Sequence, residues 1–127
     1  MFHNASGLAA AGASLIVGYF LAAGLMNLTA ARIKDHIDRM AELRVPFPAG
    51  AFWMGIALQF TGCALLLSGW HAEAGAWCLI AFTVAANAIF HRFWTVRDPA
   101  RRNTLRLMLL NGIAILGGLL LLLQNVR

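Results

Sequence analysis

Four long apolar stretches dominate the chain, and shorter polar segments separate them. The stretches cover roughly residues 5–28, 49–70, 74–94 and 105–123. Each approaches the ~20 apolar residues that a helix needs to cross the hydrocarbon layer of a membrane. Their length, their Ala and Leu content and the lack of period-two alternation favour helices over strands. The pattern predicts an all-α integral membrane four-helix bundle, with residues 1–127 forming a single domain.

The polar segment after the first stretch has a helical pattern of its own. In "ARIKDHIDRMAELRVPFP", Ile33, Ile37 and Met40 recur at helical spacing, and charged residues occupy the other positions. This pattern is typical of a short amphipathic helix lying in the membrane interface. Pro46 and Pro48 end it, because the residue before a proline avoids helical geometry. The second apolar span is predicted to begin beyond these prolines.

Composition indicates whether the surface of this bundle faces water or lipid. The chain is 61% hydrophobic and only 12% charged, whereas a soluble domain averages about 25% charged residues. The charges are also clustered: residues 1–31 carry no charged side chain, and Glu73 is the only formal charge in residues 46–90. A water-soluble fold of this size has to present charge along most of its elements. We therefore expect most of the surface to face lipid.

Lysine and arginine are distributed unequally, and this predicts an orientation. Two segments, one after the first span and one before the fourth, hold nine of the ten basic residues. Those nine are Arg32, Lys34, Arg39, Arg44, Arg92, Arg97, Arg101, Arg102 and Arg106. The positive-inside rule places both segments, as loops, in the cytoplasm and both termini outside the inner (cytoplasmic) membrane. The net charge of +5 is then explained by topology and by attraction to anionic membrane lipids rather than by nucleic acid.

Glycines are predicted to let the helices approach each other. Gly55, Gly62 and Gly69 lie seven residues apart in the second span, and Gly112, Gly117 and Gly118 follow in the fourth. Small residues allow close contact between helix backbones in a membrane, where no hydrophobic effect drives association. We expect these glycines to serve packing and not chemistry.

Polar side chains inside the spans provide the candidate site. Thr83, Asn87 and His91 recur every four residues and share a helix face, while Gln59 and Cys63 share another. Most of the amides are predicted to lie in the half of the membrane next to the basic segments, with Asn87 and Asn111 at similar depth on adjacent spans. They indicate a polar cavity entered from the basic side and rimmed by aromatic residues. The candidate ligand-binding residues are His91, Asn87, Asn111, Gln59, Trp94, Phe93, Arg92, Asn27 and His36.

Each of these residues also has a structural interpretation. Buried amides often only join neighbouring helices, Phe93 and Trp94 suit an interfacial aromatic belt, and the arginines suit topology. Cys63 and Cys78 form no CxxC motif and are expected to be buried thiols. The sequence has no HExxH, no CxxCH and no glycine-rich phosphate loop. It therefore predicts no catalytic set, no metal site and no evident cofactor.

Several segments together resemble the DoxX family of small four-helix membrane proteins. They are "GLMNLTAARIKDHIDRMAELRVPFPA", "ALQFTGCALLLSG", "FHRFWTVRDPARR" and "NGIAILGGLLLLL", so the resemblance extends over about the whole chain. It singles out His91, Phe93, Trp94 and Asn111 as motif positions, and His36 and Asn27 less strongly. Many relatives have Glu where this chain has Gln59, and a basic residue after the second helix where this chain has "GWHAEAGAW".

The resemblance implies a redox-associated membrane protein, because the family is named after a subunit associated with thiosulfate:quinone oxidoreduction. The first functional hypothesis is a membrane subunit, not a complete enzyme, that binds a quinone or similar lipophilic molecule and serves a redox partner protein. The second is a non-enzymatic scaffold or small-solute carrier without a redox cofactor. The third is a thiol enzyme that uses Cys63 and Cys78. The sequence leaves open whether the chain is a monomer, a homo-oligomer or a subunit of a larger assembly.

Overall fold

The structure is a computed structural model that describes residues 7–90, 94 and 96–126. Five α-helices follow one another: α1 (Gly7–Met26), α2 (Ala30–Glu42), α3 (Pro48–Ser68), α4 (Ala72–Phe90) and α5 (Pro99–Val126). No strand occurs in the part of the chain that these ranges cover. The predicted all-α fold, with four long helices and a shorter one between the first two, is confirmed.

The four long helices form a ring in which neighbours are antiparallel. α3 contacts α1 and α4, and α5 contacts the same two helices from the other side. The core between them contains Val17 and Phe20 of α1, Leu66 of α3, Leu79 of α4 and Leu119 of α5, each with at most 2% of its surface exposed. α2 lies outside the ring and packs against α3.

All four long helices are long and apolar enough to cross a membrane. Only 22–33% of the most apolar window of each helix is buried inside the molecule. Large apolar side chains therefore point outward all around the bundle, as at Leu15, Leu67 and Leu121, which are 76%, 51% and 65% exposed. An apolar surface this extensive is incompatible with a monomer in water. The protein is a multi-pass membrane protein.

The amphipathic helix α2 buries its apolar side at one end of the bundle. Met40 is buried in a cluster with Phe52 and Ile56 of α3. The chain then turns sharply, with Arg44 and Phe47 in the left-handed region at φ 61° and 50°. Pro48 begins α3 in the first turn, where the missing proline N–H costs no helical hydrogen bond. We call this end of the bundle, which also holds the end of α4 and the start of α5, the basic end.

The start of α5 corrects one prediction. Arg101, Arg102 and Arg106 were assigned to a loop, but the helix already begins at Pro99. Proline is favoured at the first helical position, and the Arg102 N–H donates to Asp98 O at 2.8 Å. The 28 residues of α5 span about 42 Å, which exceeds the ~30 Å hydrocarbon layer. The arginine-rich first turns can therefore project beyond the hydrocarbon while remaining helical.

The packing role predicted for Gly62 is confirmed, whereas the packing roles predicted for Gly69 and Gly117 are wrong. At Gly62 an added Cβ would lie 2.9 Å from Gly75 O, and at Gly75 it would lie 2.8 Å from Gly62 O, so the backbones of α3 and α4 meet here. Gly69 instead ends α3 in the left-handed region at φ 76°, and its N–H donates to Leu65 O. Gly117 faces open space. The seven-residue spacing of the glycines therefore did not show which of them pack against a neighbouring helix.

Candidate functional site

A cavity of about 220 Å³ lies between α1, α4 and α5. Its polar groups come from α4 and α5, and its aromatic wall comes from α1 and α4. The lining residues are Tyr19, Phe20, Phe82, Thr83, Ala86, Asn87, Met108, Asn111, Gly112 and Ile115. Sequence reasoning placed Asn87 and Asn111 at similar depth on neighbouring spans, and the structure brings these two amides to one cavity.

The polar wall of the cavity follows from helical spacing. Thr83 and Asn87 lie one turn apart on α4, and the Thr83 hydroxyl donates to Leu79 O at 2.8 Å. Asn87 packs directly on Gly112 of α5, where an added Cβ would lie 2.6 Å from Asn87 Cγ. Only glycine leaves room for this amide. Asn111 precedes Gly112 and is exposed, so its carboxamide lies at the open side of the cavity.

An aromatic cluster forms the opposite wall. The ring of Phe20 makes edge contacts with Tyr19 and Phe82, with centroid distances of 5.1 Å and 6.2 Å. Tyr19 is 51% exposed and marks the mouth of the cavity between α1 and α5. Sequence reasoning missed it, although the signal was present. Tyr19 is the only tyrosine in the chain, and its phenol lies within a span that carries no charged side chain.

Gln59 lies behind this wall and joins α3 to α1. Its Nε2 donates to Phe20 O at 2.7 Å, and one turn later Cys63 Sγ lies 3.9 Å from Val17 O. The predicted common face of Gln59 and Cys63 is therefore the face toward α1. Gln59 is 1% exposed, and its Oε1 has no hydrogen-bond partner among the described residues. Such a buried acceptor is a candidate position for an internal water.

His36 occupies a separate place, at the basic end. Its ring lies 5.7 Å from the Phe52 ring and 5.1 Å from the Phe90 ring, measured between centroids. Its Nδ1 lies 2.7 Å from Arg32 O. If Nδ1 carries the proton of the neutral ring, Nε2 is an acceptor. His36 thus joins α2 to the start of α3 and the end of α4. It is not among the residues that line the cavity.

The remaining candidates have less defined positions. Asn27 is half-buried just after α1, and its backbone N–H donates to Ala23 O. Trp94 is 57% exposed, as expected for an interfacial aromatic residue. His91, Arg92 and Phe93 lie outside the described residues. The predicted rim of the cavity at these three residues therefore stays a prediction.

Positive charges from two helices converge at the basic end. Partial burial, followed by the charge of Arg101, lowers the pKa of Arg39, while Glu42 acts in the opposite direction. Arginine stays protonated in spite of such shifts. Arg39 of α2 and Arg101 of α5 therefore both contribute positive charge at the basic end, which favours anionic groups there.

Thiols and metal ligands add no further centre to the described part of the chain. Cys63 is buried, Cys78 is half-buried, and both are free thiols. Within residues 7–90, 94 and 96–126, no group of three or more His, Cys, Asp or Glu side chains is arranged to hold a metal ion. Among the described residues, the cavity between α1, α4 and α5 is thus the place where several predicted site residues meet.

Comparison with known proteins identifies one family. The family model described as DoxX matches residues 8–92. The match covers α1 to α4, including Asn27, His36, Gln59 and Asn87, and ends before Asn111 and α5. No curated protein matches the chain, and no solved structure matches it either.

Proposed function

The chain belongs to the DoxX family, and on that basis we propose that it is a redox-associated subunit of the inner membrane that binds a quinone-like molecule. The single observation that carries this proposal is the cavity lined by Asn87 and Asn111. It combines hydrogen-bonding amides with an aromatic wall inside a membrane bundle. Polar groups at membrane depth mark functional sites more often than apolar positions do.

The chemistry of the cavity suits a quinone ring. Each carboxamide carries two N–H donors, which can bond to the carbonyl oxygens of a quinone. Phe20 and Phe82 offer ring faces and edges to an aromatic ligand. The volume of about 220 Å³ is below the ~300–1,000 Å³ of sites for drug-sized ligands, so it accommodates one small ring. Reduction of a bound quinone would require two electrons from a redox partner protein and two protons.

Binding of a quinone ring can be tested at Asn111. Because this side chain is exposed, its removal should leave the packing of the bundle intact. We expect Asn111→Ala to weaken binding of a tail-less dimethoxybenzoquinone by about 1–3 kcal/mol, or about 5- to 150-fold. The measurement is a titration of the purified protein in detergent.

The matched control is Asn103→Ala, which removes another exposed asparagine of α5 that does not line the cavity. It should bind the quinone like the unaltered protein. If the unaltered protein shows no binding, or if both variants bind equally well, the quinone proposal is wrong.

A second candidate function is a non-enzymatic scaffold, and the outer face of α1 favours it. An added Cβ at Gly12 or at Gly18 meets nothing within 4 Å, so both positions are open to a neighbouring helix. A copurifying membrane partner that is lost in Gly18→Leu, together with no quinone binding, would favour the scaffold.

We also propose an orientation of the protein in the membrane, based on the positive charge of the basic end. Positive-inside reasoning puts α2 and the start of α5 in the cytoplasm. A cysteine introduced at Arg39 or Arg101, in a chain whose native cysteines are replaced, should resist an impermeant thiol reagent in intact cells. A cysteine at Glu73 should react. The reverse labelling pattern would invert the topology.

A further inference from the structure

A second cavity adjoins the first along the α1–α5 interface. It has a volume of about 310 Å³ and shares Tyr19 and Ile115 with the polar cavity. Its other lining residues are Leu15, Ile16, Ala114 and Gly118. Apart from the Tyr19 phenol, these residues offer only apolar side chains or backbone. We call this second cavity the apolar groove.

The two cavities follow one another along the membrane normal. On α1 the apolar groove uses Leu15 and Ile16, which precede Tyr19. On α5 it uses Ala114 and Gly118, which follow Asn111. Because α1 and α5 are antiparallel, both shifts lead away from the basic end. From Asn111 to Gly118 the distance along the helix is about 10 Å. The combined space is therefore polar toward the basic end and apolar beyond it.

From this division we infer that the apolar groove holds the hydrocarbon tail of the ligand whose ring occupies the polar cavity. The ligand class is then a long-tailed quinone, and this inference rests on the proposed function. Leu15 at one edge of the groove is 76% exposed, so the groove opens sideways. A tail can enter from the membrane without passing through the bundle core.

Gly118 makes room for this tail. An added Cβ at Gly118 would lie 3.4 Å from Ile16 Cδ1, whereas at the adjacent Gly117 it would meet nothing within 4 Å. A leucine at position 118 would therefore fill the groove, and a leucine at 117 would point away from it. Since a tail in the bilayer is already surrounded by hydrocarbon, the groove gains little from the hydrophobic effect. Its contribution to affinity is the close packing of the tail against the groove, which a leucine side chain at position 118 would remove.

The test uses a benzoquinone with a decyl tail that carries a photoreactive diazirine at its end. In the unaltered protein and in Gly117→Leu, the label should attach to the residues of α1 and α5 that line the groove. In Gly118→Leu this labelling should be lost, and affinity for the tailed quinone should fall by about tenfold, which corresponds to about 1.4 kcal/mol. Affinity for the tail-less ring should not change.

A second blocking variant covers the case in which Gly118→Leu does not fold. Ala114→Phe fills the same groove from an exposed position of α5, and it should have the same effects. Labelling scattered over all lipid-facing helices, or labelling that neither variant reduces, would overturn the inference while ring binding stands. Loss of ring binding to the unaltered protein would overturn the proposed function itself.

The groove could instead hold a membrane lipid or a second copy of the chain, and two further experiments distinguish these occupants from the quinone tail. A phosphatidylcholine with the same diazirine on one acyl chain should label the groove less than the quinone does. Equal labelling would make the groove an ordinary lipid site. Crosslinks between two copies through α1 and α5 would make it an interface. Either result overturns the inference.

Discussion

Gly62→Leu should strongly destabilise the bundle, because it forces a side chain between the backbones of α3 and α4. An added Cβ at Gly62 would lie 2.9 Å from Gly75 O and 2.9 Å from Leu79 Cγ. The first of these atoms belongs to the backbone of α4 and cannot move aside alone. We expect the free energy of unfolding to fall by about 3 kcal/mol, the upper part of the range for overpacked cores. Unfolding in mixed detergent micelles measures it.

The matched control compares alanine at two positions of the same helix. At Gly55 an added Cβ would lie 3.6 Å from Phe82 Cε2, which is ordinary contact. Gly55→Ala should therefore be neutral or stabilise α3 by up to about 1 kcal/mol through helix propensity. Gly62→Ala should destabilise in spite of the same propensity gain. Equal effects at the two positions would show that α3 and α4 do not meet backbone to backbone at Gly62.

Gly112→Ala should impair ligand binding much more than stability. The added Cβ would lie 2.6 Å from Asn87 Cγ, so the Asn87 carboxamide has to turn away from its place in the cavity wall. Because the obstacle is a side chain rather than backbone, the helices can keep their positions. We expect the affinity for tail-less dimethoxybenzoquinone to fall by about 1–3 kcal/mol, or about 5- to 150-fold, in the same titration that tests Asn111.

A double-mutant cycle isolates the cause of that loss. If Gly112→Ala acts by displacing Asn87, the variant with both Gly112→Ala and Asn87→Ala should bind no worse than Asn87→Ala alone. Gly117→Ala, which adds a methyl group on the open side of the same helix, is the control and should leave binding unchanged. Additive losses in the double variant would contradict the proposed role of the Asn87–Gly112 contact.

Much of the fold follows from the pattern of apolar and charged residues. The spans were recognisable because charge is nearly absent from them, and α2 was recognisable because Ile33, Ile37 and Met40 recur at helical spacing. The common level of Asn87 and Asn111 followed from counting residues inward from the basic segments. These predictions depend on position along a helix axis, which sequence reports directly.

Rotation of each helix about its axis was harder to predict. A span that is apolar on every side carries no amphipathic pattern to show which face looks inward. The pairing of Gly62 with Gly75, the contact of His36 with Phe90 and the place of Tyr19 at the cavity mouth all depend on such rotations. Spacing within one helix likewise did not distinguish the packed Gly62 from Gly69, whose left-handed backbone ends α3.

The central claim is that the amides of Asn87 and Asn111 bind a quinone ring between α1, α4 and α5. Its most direct test is nuclear magnetic resonance of the asparagine side-chain amides during titration with tail-less dimethoxybenzoquinone. We predict saturable shifts of the Asn87 and Asn111 signals, with the Asn103 signal unchanged. Shifts confined to Asn27, equal shifts of all the asparagines, or no saturable shift at all would contradict the claim.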